Sequence, residues 1–370
     1  MNRFTPVVAG LLFLGTYPIS AEDISVEEAV KIDVRAIGQT QGAGTPNAIG
    51  AGAFIPLHTT SNAVTYIDVE AKANLDDRSG DSSIINTDVA GVTLSTSARI
   101  GYRWINDIGS WMYGVYGGYD TREMGSGSAD TAETVTDSKT VNFQQFAVGA
   151  EAVSNQWSIH AYALIPTGTT EKQLNSHYQA GALDTVGVDA GYQINDKTKA
   201  TVGYYHQRGD LGEAVGSGVT TGLSYDINDN LTAGVKVSYD DAFETRVMAT
   251  LDYTFGNLIK GDEEEKQAGL NWLMNALSAS PEHRDVRVHD GCERTCQIGG
   301  ACIGPSRPGT SDGGCQWGTR MVDYQNTYIN GHWVTADVAC KADTGKPCIP
   351  CFARCGSTST SGCAEGKSCQ

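Results

Sequence analysis

Ten cysteines are the residues of this chain best suited to covalent chemistry, and all of them lie within residues 292–369. Such a density is typical of small exported domains, which bury too little apolar surface to fold without disulfide staples. We therefore predict a disulfide-rich domain over 291–370, whose pairing the spacing alone does not specify. Asn330-Gly331 within it predicts a β-hairpin. The cysteines are Cys292, Cys296, Cys302, Cys315, Cys340, Cys348, Cys351, Cys355, Cys363 and Cys369.

Metal binding is the competing interpretation of these thiols. Two pairs have the spacing of zinc ligands, namely Cys348 with Cys351 and Cys292 with Cys296. The remainder of the chain contains no cysteine, and an exported chain oxidises its thiols outside the cytoplasm. We therefore favour disulfides over zinc, and we expect neither a metal nor a cofactor.

Eight charged residues at alternating positions form a second group with possible chemistry. In the segment Ala63–Leu75, every second residue from Asp68 to Lys72 is charged and the residues between them are apolar. This alternation indicates a strand with two unlike faces. The charged face belongs either to the outside of a sandwich or to the lumen of a barrel. The eight residues are Asp68, Glu70, Lys72, Arg99, Arg103, Asp120, Arg122 and Glu151.

The positions of the aromatic residues favour the barrel. In segments 89–105 and 111–122 the apolar face has aromatic residues near the segment ends and aliphatic or small residues between them. Lipid-facing strands have this pattern, with an aromatic girdle at each membrane interface. In the first segment, the apolar face comprises Val92, Leu94, Ala98, Ile100, Tyr102 and Trp104. The charged side chains then point into the lumen. There they either grip a linker or line a selective pore, or they simply make the lumen polar.

Twelve alternating segments between residues 32 and 256 predict an all-β fold, a twelve-stranded antiparallel transmembrane β-barrel. Short connections follow the even-numbered strands and mostly longer ones follow the odd-numbered strands. Short turns are therefore expected in the periplasm and long loops outside the cell. The predicted strands are 32–39, 48–57, 63–75, 88–105, 110–122, 141–153, 157–166, 180–194, 198–208, 217–227, 231–240 and 245–255.

The segments before the barrel predict an exported chain. Residues 1–21 combine Arg3, the apolar run Val7–Thr16 and the small residue Ala21, which indicates a signal peptide. Residues 22–31 are acidic and are assigned to the periplasm. The net charge of −17 offers no basic patch, so we expect no nucleic-acid partner.

A linker is predicted over 257–290. Acidic residues open it at 262–265, and Leu270, Leu273, Met274 and Leu277 then recur at helical spacing up to Pro281. A helix of about 18 residues is roughly 27 Å long, which is close to the thickness of a bilayer core. It is interpreted as a helix through the barrel lumen or as a periplasmic helix. His283 and His289 are interpreted either as metal ligands or as solvated residues of this linker.

Several stretches resemble the β-domain of the intimin and invasin family, the inverse autotransporters. The resemblance covers about residues 30–256 and implies a twelve-stranded barrel, a helical linker through the pore and a C-terminal passenger displayed outside. Passengers of that family are usually long arrays of immunoglobulin-like domains, for which residues 291–370 are too short. The stretches are FIPL (54–57), YIDVEAKANLDD (66–77), IGYRWINDIGSWMYGVYGGYDTR (100–122), FAVGAEAV (146–153) and WSIHAYALIPTG (157–168).

The sequence therefore predicts a non-enzymatic outer-membrane anchor that displays a small cysteine-rich domain for adhesion or another surface interaction. Expected partners are outer-membrane lipid, an unknown surface ligand and the barrel assembly machinery, since Tyr253 and Phe255 give the last strand an aromatic end. One alternative is a porin-like channel with a periplasmic cysteine-rich cap. An outer-membrane protease or lipase is a weaker alternative, because no catalytic constellation stands out in the sequence.

Overall fold

The computed structural model describes residues 30–76, 89–106, 109–127, 136–175, 178–209, 214–255 and 275–292, together with Val26, 327–329 and 332–334. These residues form sixteen strands. In chain order they are β1 Asp33–Gln39, β2 Ala48–Thr59, β3 Ala63–Asn74, β4 Thr93–Ile105, β5 Met112–Met124, β6 Val141–Val153, β7 Trp157–Pro166, β8 Glu171–Gln173, β9 Tyr178–Asn195, β10 Thr198–Gly209, β11 Gly216–Asn228, β12 Leu231–Asp240, β13 Glu244–Thr254, β14 Val288–Cys292, β15 Thr327–Ile329 and β16 His332–Val334.

Twelve of these strands, β1–β7 and β9–β13, close into an antiparallel barrel. Each strand pairs with the next one in the chain, β7 pairs with β9, and β13 pairs with β1 to complete the ring. The predicted twelve-stranded barrel is therefore confirmed. Beyond the barrel, β15 pairs with β16 as the predicted hairpin requires.

One predicted strand begins later than expected. The segment 88–105 reads as one continuous strand, but the ladder of β4 starts only at Thr93. Gly91 has a φ of 72°, in the left-handed region that interrupts a strand. Val89 consequently makes only an isolated bridge to Ser126.

The outer wall of the barrel is apolar and the inner wall is polar. In β4, Leu94 and Ile100 are 49% and 57% exposed, whereas the intervening Arg99 is 1% exposed. Tyr102 and Trp104 stack on the outer surface beside Tyr113, near the short turn between β4 and β5. The alternation read from the sequence thus places apolar side chains towards lipid, as in outer-membrane barrels.

Four tyrosines pack inside the barrel against glycines of a neighbouring strand. In each pair the glycine lies opposite the tyrosine in the ladder, and a Cβ on the glycine would overlap the ring. The glycine therefore allows the ring to lie flat along the wall. The pairs are Tyr66 with Gly101, Tyr116 with Gly149, Tyr162 with Gly187 and Tyr205 with Gly218.

The two ends of the barrel differ. At the short-turn end, β2–β3, β4–β5, β6–β7, β9–β10 and β11–β12 are joined by brief connections. The longer connections and the brief β12–β13 connection lie at the opposite, long-loop end. The segment 275–292, named the linker here, runs between these ends inside the barrel. Leu277 packs with Val26 and Val64 at the short-turn end, and Val288 packs with Met124 and Tyr178 at the long-loop end.

The linker is mostly not helical. Residues 275–278 have helical backbone, residues 279–287 have no regular structure, and 288–292 form β14. Residues 275–278 lie within the predicted helix and are helical, and from residue 279 onward the chain crosses the barrel in an extended conformation. The predicted helical residues 261–274 lie outside the described part. No helix within the described residues has the length and hydropathy needed to cross a membrane.

Candidate functional site

The lumen holds all eight charged residues that the sequence assigned to it. Each is buried inside the barrel, and together they line the strands β3–β6. Their lumen-facing side chains are named the charged wall here. They are Asp68, Glu70 and Lys72 on β3, Arg99 and Arg103 on β4, Asp120 and Arg122 on β5 and Glu151 on β6.

Arg103 holds the short-turn end of the linker. Its guanidinium is bidentate to Glu151, with Nε 2.5 Å and Nη2 3.3 Å from the two carboxylate oxygens. Nη1 donates to the carbonyls of Leu277 and Ala279 at 2.9 Å and 2.6 Å. A cation bound to these carbonyls satisfies the end of the helical turn and complements its dipole.

An interlocked set of charges holds the middle of the linker. Arg284 donates to Asp68 at 2.5 Å, and Asp285 pairs with Lys72. On the barrel side, Arg35 of β1 also binds Asp68, at 2.8 Å and 3.0 Å. The neighbouring residues Arg284 and Asp285 thus meet charges of opposite sign on the same strand.

Backbone carbonyls of the linker accept further hydrogen bonds from the charged wall. Arg99, which is bidentate to Asp120, also donates to the carbonyl of His283 at 3.2 Å. Arg122 donates to the carbonyl of Val286 at 2.9 Å. Because these bonds reach main-chain atoms, they hold an extended backbone whatever side chains it carries.

The long-loop end of the linker is held by strand pairing. All of β14 pairs antiparallel with Tyr178–Ala182, the part of β9 that extends beyond the last residue of β10. β8 occupies the other edge of the same extension. The amide of Leu183 continues this pattern by donating to the carbonyl of Arg287 at 2.9 Å. The linker thus replaces β10 in the ladder where β10 ends.

The opposite side of the lumen is less filled. The lumen-facing residues of β9–β12 are named the open wall here. Many of them are glycines and threonines, and Lys199 and Lys236 are only partly buried. A polar cavity of about 10 Å³ lies between this wall and the linker. That volume has room for about one water molecule. The cavity is lined by Ser158, His160, Asp189, Gly191, Lys199, Thr201, Thr220, Lys236 and Glu282.

Sequence reasoning missed the partners that complete this network. Arg35 and Gln145 are buried lumen residues on strands that were correctly located. Arg35 shares the carboxylate of Asp68 with the linker residue Arg284, and Gln145 donates to the carbonyl of Asp285. Strand alternation could have placed Arg35 and Gln145 on the inner face. The linker residues follow no period, so no pattern assigned them a direction.

Several predicted residues lie outside the described part of the chain. Of the ten cysteines, only Cys292 is included, at the last pair of β14 opposite Tyr178. The other nine, from Cys296 to Cys369, and the signal peptide 1–21 are not described.

One serine–histidine contact occurs on the outer surface. Ser217 Oγ lies 3.2 Å from Nδ1 of His206 and 2.7 Å from the Tyr204 hydroxyl, and the contacts are exposed. Within the described residues, no carboxylate is seen bonded to this imidazole. The pair therefore lacks the third group that orients the base of a catalytic triad.

Comparisons with known proteins found structural likenesses of low score. No family model and no curated protein matches the chain. Among solved structures, it is similar to a chain solved in work on the in-meso crystallization of membrane proteins, with 10% identity and a TM-score of 0.48 over 70% of this chain and 99% of that one. An outer membrane channel from Pseudomonas putida F1 has 12% identity and a TM-score of 0.38, over 66% and 99% of the two chains.

A further similar structure is the outer membrane phospholipase of Salmonella typhi. It has 11% identity and a TM-score of 0.34, over 60% of this chain and 90% of that one. Likeness at this level concerns only the fold. The chain has an outer-membrane β-barrel fold, and its apolar outer wall agrees with a location in that membrane.

Proposed function

We propose that this protein anchors itself in the outer membrane through residues 32–256 and carries the cysteine-rich segment 291–370 to the cell surface through its own lumen. Residues 1–21 serve as the export signal, and residues 22–31 stay in the periplasm. The segment 257–290, which contains most of the linker, connects the barrel to the passenger. The passenger is stapled by disulfides and takes part in adhesion or another surface interaction.

The path of the linker is the observation that supports this proposal. The barrel ends with β13 at the short-turn end, and the linker next contacts the barrel there through Leu277. It leaves at the opposite end through β14. With short turns in the periplasm and long loops outside, as is usual for such barrels, a chain on this path emerges on the cell surface.

The resemblance to inverse autotransporters adds independent support. Its longest matching stretch, residues 100–122, contributes Arg103, Asp120 and Arg122. Arg103 and Arg122 bind linker carbonyls directly, and Asp120 fixes Arg99, which binds a third. The residues that carry the resemblance are therefore the residues that hold a chain in the lumen.

Surface exposure of the tail is the direct test. An epitope placed after Gln370 should be removed by protease added to intact cells, while a second epitope inserted in the short turn at Asn155 should survive. Permeabilised cells should lose both. If the C-terminal epitope survives in intact cells and is lost only after permeabilisation, the tail is periplasmic and display is refuted.

A porin-like channel is the second candidate, favoured by the polar cavity along the open wall. Lys199, Lys236, Asp189 and Glu282 line that cavity, and charged side chains of this kind line the ion paths of channels. The two functions differ in conductance. A linker that fills the lumen predicts a nearly closed full-length protein in planar bilayers and a large increase after deletion from residue 257 onward. Equal conductance of both forms would favour the channel.

A further inference from the structure

A cluster of potential metal ligands joins the linker to the barrel wall. Asp189 of β9 and the adjacent linker residues Glu282 and His283 each offer one ligand atom, and these atoms lie within 4.8 Å of one another. Nε2 of His283 is 2.5 Å from Asp189 Oδ2 and 4.0 Å from Glu282 Oε2. The cluster differs from the ion pairs of the charged wall, because its three members are carboxylates and an imidazole and include neither Arg nor Lys.

The ring and backbone of His283 are held by groups that do not involve Nε2, the nitrogen that faces Asp189. Its ring stacks on Tyr162 with centroids 3.7 Å apart and 13° between the planes. Its carbonyl accepts the hydrogen bond from Arg99, and its φ of 58° is unusual for a residue other than glycine. A ligand fixed in this way loses little freedom when it binds an ion.

A fourth donor faces the same space. His160 lies directly opposite Asp189 in the ladder between β7 and β9. It lines the cavity of about 10 Å³ together with Asp189 and Glu282. Its Nδ1 is buried and has no hydrogen-bond partner among the described residues. The cavity therefore has the size for one small ion or water, and a histidine with an unpartnered ring nitrogen lines it.

We propose that Asp189, Glu282 and His283, with His160 at the rim, bind one divalent first-row transition cation such as Zn²⁺. Zinc takes imidazole nitrogen and carboxylate oxygen at about 2.0–2.2 Å, so tetrahedral ligand atoms lie about 3.4 Å apart. The present separations of 2.5 Å and 4.0 Å bracket that value. Calcium is excluded as the preferred ion because it requires six to eight oxygen ligands.

Two lysines moderate the affinity of this site. Lys199 and Lys236 line the same cavity and offset the charges of the two carboxylates. A bound dication competes with them for Glu282. Replacing Lys236 by Met should therefore tighten zinc binding, whereas a cluster that served only as an ion-pair network would gain no affinity for any ion.

The ion would fasten the linker to β9 at mid-lumen. Glu282 and His283 belong to the linker, and Asp189 and His160 belong to barrel strands, so removal of the ion should loosen the linker without opening the barrel. This role is the same whether the tail is displayed or periplasmic, and the metal test is therefore independent of the display test.

The experiment uses the full-length, disulfide-oxidised protein folded in detergent and stripped with a chelator. Calorimetric titration with Zn²⁺ should give one equivalent bound, and Glu282→Gln and Asp189→Asn should each weaken binding at least tenfold. Glu282 is a suitable target because its side chain is 45% exposed to the lumen, so its replacement should disturb the packing little. His206→Gln, on the outer surface, is the matched control and should bind like the parent protein.

Titration with Co²⁺ identifies the ligands by spectroscopy. Nitrogen and oxygen ligands give weak visible bands that disappear in Glu282→Gln, whereas cysteine ligands give an intense thiolate charge-transfer band that persists in it. Equal zinc affinity in the parent and in both cluster variants would overturn the proposal, and so would a thiolate band as the only cobalt signal. Tighter binding by Lys236→Met would support it.

Discussion

The charged wall and the open wall of the lumen have the same strand alternation but differ in how many contacts they make with the linker. Along the lumen, the charged wall binds the linker through Arg99, Arg103, Arg122 and Lys72. The open wall faces it across a cavity, and its best direct contact there is Asp189 with His283. Strand alternation is therefore not what positions the linker.

This difference between the two walls indicates that the buried charges position the linker. A buried ion pair seldom adds stability relative to an apolar pair, but losing one partner is strongly destabilising. Arg99 with Asp120 and Arg103 with Glu151 form ion pairs within the wall, and both arginines still donate to the linker. The directed donors of the charged wall favour one path of the linker, whereas the small side chains of the open wall would fit several paths.

The largest expected effect follows from breaking the charged wall. Arg103→Met leaves Glu151 buried without its partner and the carbonyls of Leu277 and Ala279 without their donor. The free energy of unfolding should fall by about 3–5 kcal/mol. Denaturant titration in lipid vesicles measures it. Lys236→Met on the open wall is the matched control and should change stability by no more than about 1 kcal/mol.

A double replacement sharpens that result. Arg103→Met combined with Glu151→Leu removes both charges, so it should be less destabilising than Arg103→Met alone. A double variant that is as unstable as Arg103→Met alone would mean that the carbonyl bonds to the linker, and not the stranded carboxylate, dominate the loss.

The inner and outer faces of the open wall should also differ. Leu223 is 52% exposed towards lipid, and its neighbour Ser224 faces the lumen opposite Lys199. Leu223→Glu should reduce the amount of folded barrel in membranes, at a cost below the ~2–4 kcal/mol of a Lys or Arg at mid-bilayer. Ser224→Glu should be tolerated. Heat-modifiable electrophoresis compares the two, and equal losses would contradict the assigned faces.

A smaller effect is expected for the pair between Lys72 and Asp285. Either Lys72→Glu or Asp285→Lys places like charges together in a buried network. The combined exchange should recover part of the stability, with a coupling energy of about 0.5–3 kcal/mol. Protease sensitivity of the linker gives the readout. Strict additivity of the two single changes would show that the contact does not hold the linker.

The smallest effect concerns acid at the long-loop end, outside the membrane-spanning strands. Burial lowers the pKa of His289 to about 4, although the Asp240 carboxylate opposes the shift. The ordinary pKa is about 6.5, so the folded state binds fewer protons and loses stability as the pH falls from about 6.5 to about 4. Amide exchange in β14 should accelerate over this range. His289→Gln should abolish the dependence, and an unchanged profile in that variant would assign it to another group.

Much of the barrel was predictable because its signals are local. Period-two alternation located the strands, and the eight charges of the inner wall followed from the face that each position must take. The exception at Gly91 arose because one positive φ ends a ladder without disturbing the apolar pattern on either side.

The linker was less predictable because its conformation depends on partners distant in sequence. Leu270 to Leu277 repeat with helical spacing, but no period continues beyond Pro281, where the chain crosses the lumen. Residues such as Arg284 and Asp285 have no period, and only the strand positions of Asp68 and Lys72 explain their placement. The same holds for Asp189 and His283, which are separated by 94 residues.

The pairing of β14 with β9 has a mechanical consequence. The two strands run in opposite directions, and Cys292 pairs with Tyr178 at the tip of the extension, while Val288 pairs with Ala182 near the barrel. A pull on Cys292 away from the barrel would act at the tip of the pair, while β9 resists from its barrel end. This is shear geometry, in which all the ladder bonds carry tension together and do not open one after another. Force arriving from the tail would therefore be borne first by this short sheet, and only then by the arginine clamps inside the lumen.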